Sequence, residues 1–365
     1  MSSRLVHLDN AGMSLSPQPV LNTVMAHLAR EQRMGGYRAE ADQAERLAAG
    51  YGSVAELVGG KAQEIAFMHN ATLAFDVALL SLGLAEGDRV ILHRSSYASN
   101  RMALLRLRER GVVLDEVGST ADGNIDPDAV RAAVRDDTRL ICATHVPSTH
   151  GRINPVARVG AVAREAGVPY LLDACQSAGQ VALDVEAIGC TMLAATGRKF
   201  LRGPRGTGFL WVSESVMDRL EPLMPDYRSA RLTEDGYRLA DGAVRFENYE
   251  HNVAAKLGFI RAVDYALDVG PERIEARVRE LSRVLQAALT EAGMKVLPDQ
   301  ESGIVVWSHP WLDATEVHGR LAERGVVTSV SRRFFDVPET AVRTSIHYYN
   351  TDAEVGRLVE ELAEF

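Results

Sequence analysis

Two short apolar runs carry the residues best suited to chemistry. Tyr170-Leu-Leu-Asp173 ends on a carboxylate, and Thr191–Ala195 leads into Thr196-Gly-Arg-Lys199. Each run has the length and β-rich make-up of a buried strand, so Asp173 and Lys199 stand at strand ends. A carboxylate and an amine on neighbouring strand ends suit pyridoxal 5′-phosphate (PLP) chemistry. The lysine would hold the aldehyde as a Schiff base and later move protons. The carboxylate would keep a proton on the pyridine nitrogen, so that the ring accepts electrons from a substrate carbanion. A structural salt bridge at a cleft edge uses the same two residue types, and spacing alone leaves both readings open.

The elements that must position this pair are legible around it. The runs Glu64–Met68, Arg89–His93, Val112–Val117, Leu140–Val146 and Tyr170–Ala174 read as strands. The stretches Ala71–Leu84, Asn100–Arg110, Pro127–Val134 and Val156–Ala166 read as helices between them. Strand–helix alternation with continuous apolar strands predicts an α/β fold with a mostly parallel sheet covered on both faces. Such sheets place ligands beyond the carboxyl ends of their strands, where the motifs fall. From about residue 220 the pattern changes to long helices (Asn252–Leu267, Arg273–Ala292) and short, partly antiparallel strands, which predicts a smaller α+β domain. The first ~40 residues show no strong strand–helix unit, and are expected to pack against both domains.

Composition narrows the function classes. The chain has 365 residues, 46% apolar and 24% charged, with a net charge of −9. These values argue against disorder and against a general nucleic-acid binder. No apolar run is long enough to span a bilayer, and the N-terminus lacks a signal-peptide core, so a cytoplasmic protein is expected. The cysteines, Cys142, Cys175 and Cys190, are too widely spaced for a disulfide framework or paired metal ligands, and no metal is expected.

The run Leu172-Asp-Ala-Cys-Gln176, then Thr196-Gly-Arg-Lys199 and Gly203-Pro-Arg-Gly-Thr-Gly208, resembles the class V aminotransferases of PLP fold type I. That group includes cysteine desulfurases, C–S lyases and isopenicillin N epimerase. The resemblance extends from Leu8-Asp-Asn-Ala11 to Tyr349-Asn-Thr351 and implies a seven-stranded large domain (residues 15–240), with residues 1–14 and 241–365 forming the small one. It implies PLP as cofactor, Lys199 and Asp173 as catalytic residues, and Ala71 and Thr72 at the cofactor phosphate. Tyr97 matches the ring-stacking position, where desulfurases carry His. Gln176 matches the partner of the ring's phenolate oxygen, Thr196 and Arg198 match phosphate-side positions, and Ser148 is a further cofactor neighbour. For the substrate, Arg343 matches the α-carboxylate clamp, and Tyr37, Ala11 and His150 are candidate contacts. The family also implies a homodimer, with the Tyr249-Glu250 region near the neighbouring subunit's cofactor.

The reaction is the open question. A desulfurase of this group needs a mobile nucleophilic Cys shortly before the C-terminal arginine. The segment Thr328–Thr340 has none. Met34-Gly-Gly-Tyr37, Ser96-Tyr97 and Arg198–Gly206 resemble the ergothioneine-pathway C–S lyases most closely. The expectation is therefore a C–S β-lyase on a cysteine-derived amino acid, releasing pyruvate and ammonia. An aminotransferase or epimerase of a small amino acid is the alternative, and a desulfurase is disfavoured. The basic and aromatic patch Arg332-Arg333-Phe334-Phe335 is equally an entrance lining or a solvated loop.

Overall fold

The computed structural model describes residues 5–331 and 340–365. Its centre is a seven-stranded sheet built from β1 (Ile65–Met68), β2 (Arg89–His93), β3 (Val113–Val117), β4 (Thr138–Thr144), β5 (Tyr170–Asp173), β6 (Met192–Thr196) and β7 (Gly208–Val212). The order across the sheet is β1-β7-β6-β5-β4-β2-β3, parallel except for β7, which runs against both neighbours. Alternate residues of the inner strands feed two cores. Ile91, Ile141, Leu172 and Leu193 point to one face; Val90, Leu92, Leu140, Cys142 and Leu171 point to the other. This two-sided burial is why the strands read as unbroken apolar runs.

The strand–helix alternation follows the sequence pattern with small shifts. The helix after β1 spans Ala71–Leu80 rather than reaching Leu84, because the chain turns at Gly83 with a φ of +62°. The first 40 residues depart further from expectation. Gln18–Met34 forms a 17-residue helix, here α1, packed along the buried helix Val253–Val269. Only Val20 and His27 of α1 are buried, while Leu21, Met25 and Leu28 stay about half exposed. Its apolar residues therefore follow no core-facing stripe that periodicity would reveal.

A second, antiparallel sheet of four strands joins Lys295–Val296, Ile304–Ser308, Ala341–Ser345 and Ser329–Ser331, in that order. The chain's start is sewn into this region. Val6 and His7 pair in parallel with Val326 and Val327, and Asp9 bridges Ser345. Both sheets therefore present residues toward one cleft.

Candidate active site

The carboxyl ends of β1, β2, β4, β5 and β6 lie along one edge of the large sheet. Above them is a cavity of ≈ 210 Å³ whose walls include Tyr97, Ser148, Asp173, Gln176, Lys199 and Arg343. Six of the residues singled out in the sequence thus meet in one place.

Asp173 ends β5 and is 3% exposed. Asn100 Nδ2 donates to its Oδ2 at 2.8 Å, and the Cys175 backbone N–H donates to its Oδ1 at 3.0 Å. Donors to both oxygens fix the plane of the carboxylate at the end of β5. Lys199 follows β6 on a tightly packed turn. Gly203 N–H donates to the Gly197 carbonyl at 2.7 Å, and a Cβ on Gly197 would sit 2.3 Å from Thr207 Oγ1. Gly179, at a φ of +94°, leaves room for the Phe200 carbonyl, which a Cβ would meet at 2.3 Å. Burial lowers the Lys199 pKa, with Arg198 and Arg343 adding to the shift while Cys175 and Asp173 oppose it. A neutral amine is the form that attacks a carbonyl. Lys199 Nζ lies 5.8 Å from the Tyr97 ring centroid.

Arg343 enters from the second sheet. Its Nε donates to Ser329 Oγ at 2.9 Å, one terminal nitrogen to the Ser148 carbonyl at 3.1 Å, and the other to Asp9 Oδ1 at 3.1 Å. These contacts fix the plane of the guanidinium, as a carboxylate clamp requires.

The remaining sequence candidates fall outside the cavity lining. Ala71 and Thr72 open their helix at the same sheet edge. Asn70 caps it by accepting the Leu73 N–H at 2.8 Å, and the first two amides point out of the helix end, a setting that suits a phosphate. Thr196 donates to the Thr207 carbonyl at 3.3 Å. The Arg198 guanidinium donates to the Gly12 carbonyl, engaged by the N-terminal segment that crosses the site. Ala11 is buried, and its carbonyl accepts from Gln176 Nε2 at 3.2 Å. His150 is fully buried, its Nδ1 facing the Arg152 N–H at 3.4 Å. Tyr37 is 76% exposed on the short helix Gly36–Ala41, beside Tyr249. The structure thus places Tyr37 and His150 away from the walls around Lys199, one on the surface and one behind them. The Arg332-Arg333-Phe334-Phe335 patch lies outside the described residues.

Sequence reasoning missed Asn100, Asp9 and Ser95. The first two act through contacts 73 and 334 residues apart in sequence, and no local pattern marks such pairs. The residues present fit PLP. A flat ring would have Tyr97 on the wall, the Asp173 carboxylate available for a protonated ring nitrogen, and the Gln176 side chain on the same wall.

The family model for aminotransferase class-V matches residues 6–358. This chain belongs to the class-V aminotransferase family. It is accordingly a PLP-dependent enzyme, and its fold is that of PLP fold type I. A probable cysteine desulfurase of Methanothermobacter thermautotrophicus is 32% identical over 98% of this chain and 94% of its own. The solved apo cysteine desulfurase of Thermococcus onnurineus NA1 superposes with a TM-score of 0.90 at 24% identity, covering 99% of this chain and 94% of that one. A cystine C–S lyase bound to cysteine persulfide gives 0.91 at 21% identity, covering 100% and 98%. At such identities the two solved structures speak for the fold alone.

These findings correct the expected reaction. The C–S β-lyase reading, with its aminotransferase or epimerase alternative, gives way because full-length relatives at up to 32% identity are named cysteine desulfurases. Among the described residues, no helix is long and apolar enough to cross a membrane.

Proposed function

We propose that the enzyme is a cysteine desulfurase, converting L-cysteine to L-alanine while a thiol takes the sulfur. In balance, L-cysteine and RSH give L-alanine and RSSH. The S–Cβ bond breaks, an S–S bond forms, and the thiol's proton ends on Cβ. The observation that carries this reading is Lys199 and Arg343 lining one small cavity together with Asp173. Bound PLP supplies the electron sink that makes bonds to Cα and Cβ labile.

Within that reading, Arg343 binds the α-carboxylate and so fixes which Cα bond faces the ring. Lys199, its pKa lowered by burial, takes the proton from Cα and returns one at the end of the cycle. Asp173 would hold the ring nitrogen protonated, Tyr97 would stack on the ring, Gln176 would serve the ring oxygen, and the amides of Ala71 and Thr72 would receive the phosphate. We place the protein in the cytoplasm as a homodimer. Exposed Tyr37, Tyr227 and Tyr249, with Leu232 and Tyr237 beyond them, support a second copy covering this face, which brings Tyr249-Glu250 toward the other subunit's cofactor. Residues 15–240, and 1–14 with 241–365, are the proposed large and small domains.

The test is incubation of the PLP-loaded protein with L-cysteine and dithiothreitol, measuring alanine, sulfide and pyruvate. One alanine per sulfide is expected. Pyruvate and ammonia in place of alanine overturn the reading.

A further inference from the structure

Behind the cavity wall a buried imidazole connects the site to water. His93 closes β2 and is 1% exposed. Its Nδ1 lies 2.7 Å from Ser95 Oγ, and its Nε2 lies 2.8 Å from Ser119 Oγ. Ser95 lines the cavity that contains Lys199, while Ser119 is exposed on the loop beyond the edge strand β3. The three side chains therefore form an unbroken hydrogen-bonded path from the cavity to the surface.

The path has a direction. The Ser95 backbone N–H also approaches Nδ1, at 3.3 Å, so Nδ1 is the acceptor and the ring proton sits on Nε2. Ser95 O–H then donates to Nδ1, and Nε2–H donates to Ser119. Arg94 and Glu116 are the charged groups acting on the ring, in opposite senses, and His150 lies near it. Burial, the larger influence, keeps the ring neutral at ordinary pH, with its pKa down to about 4.

We infer that Ser95, His93 and Ser119 form a proton relay between the active-site cavity and solvent. In the outward pass Ser95 Oγ accepts a proton from the cavity and releases its own to Nδ1. Nε2–H passes to Ser119 Oγ, whose proton goes to water. Each acceptor gains one O–H or N–H bond and loses one, so a single proton leaves the cavity. The ring now carries its proton on Nδ1, and only an inward pass restores the starting order. A relay of this kind serves a cycle that exports one proton and later takes one back. Conversion of cysteine and a thiol to alanine and a persulfide has that property, since it is proton-neutral overall; this match rests on the desulfurase reading. The Ser119 end of the path is exposed to solvent.

The test is deuterium entry at Cα of L-alanine in D₂O, followed by NMR beside alanine formation from L-cysteine. His93→Gln should slow exchange by about a hundredfold, the low end of general acid–base effects, and Ser119→Ala, at an exposed position where water can stand in, by about tenfold. The visible PLP band and the KM should be unchanged, a split that a structural lesion would not give. Histidine ¹⁵N spectra of the unsubstituted protein should show His93 neutral with its proton on Nε2. Unaltered exchange in both variants overturns the relay, as does a cationic or Nδ1–H ring, or absence of exchange in the unsubstituted enzyme. Exchange that depends on His93 without alanine from cysteine overturns the desulfurase reading and leaves the relay standing.

Discussion

Asn100 donates from Nδ2 to Asp173 Oδ2 at 2.8 Å, joining the helix Ala98–Arg108 to the end of β5. The carboxylate expected to face the PLP nitrogen is thereby held by a neutral donor and by one backbone amide.

Removing that donor should loosen the cofactor. Hydrogen bonds to charged groups are worth about 1.5–3 kcal/mol, so Asn100→Ala should raise the PLP dissociation constant roughly tenfold to a hundredfold. Asn100→Asp should be worse, because two adjacent carboxylates cannot both stay ionised. Titration of the apoprotein with PLP, read in the visible spectrum, checks both.

Arg343 makes its three contacts through separate nitrogens, and a lysine cannot reproduce that fork. Arg343→Lys should raise KM for the amino acid more than it lowers kcat. Arg343→Ala should cost about 2–5 kcal/mol of substrate binding, the range for removing one partner of a buried charge pair. Steady-state kinetics with L-cysteine separate the two effects. PLP content should be unchanged.

Buried histidines set an acid limit on stability. Burial depresses His145 to about 4, and His150 and His347 to about 3. The unfolded chain, with histidines near their ordinary value of about 6.5, binds more protons than the native one between these limits. Stability is therefore complete above about pH 6.5 and falls as the pH drops toward 4. His347 has the clearest structural stake. Its Nε2 donates to the Phe200 carbonyl at 2.7 Å, and its Nδ1 accepts the Tyr348 N–H at 2.9 Å. His347→Asn should flatten the dependence of the urea midpoint on pH between 7 and 5 while lowering the midpoint itself.

The three thiols should be inert in the folded enzyme. Burial pushes Cys142 and Cys175 well above the usual range, the latter with help from Asp173, and Cys190 up to about 12. Since the thiolate is the reactive form, native protein at pH 7 should consume almost no thiol reagent, and unfolded protein should consume three equivalents. A Cys175 that labels as fast as free cysteine would contradict this picture.

The large sheet and the Asp173–Lys199 pair were legible because both depend on local pattern. Apolar runs mark strands, and the residue after each run lies at the cleft. Arg343 was found only through family resemblance, since an arginine on a short strand has no local signature. Asn100 and Asp9 reach the site through contacts that no periodicity encodes. The helix Gln18–Met34 was missed because it covers another helix and leaves much of its apolar surface outward, so it lacks an inward stripe. Tyr37 and His150 were singled out on neighbouring motifs, and folding carried one to the surface and the other behind the wall.

The opening segment has a consequence for how the enzyme comes into being. Asn10 donates to the Ser345 carbonyl at 2.7 Å, Asp9 pairs with Arg343, and the Gly12 carbonyl receives Arg198. Residues 9 and 10 are thus completed by residues made 334 and 335 positions later. A ribosome-bound chain can form the sheet edge and Lys199 long before its carboxylate clamp exists. The clamp is complete only once Asp9 and Arg343 have met, so a chain released before Arg343 is made should not turn over amino acids.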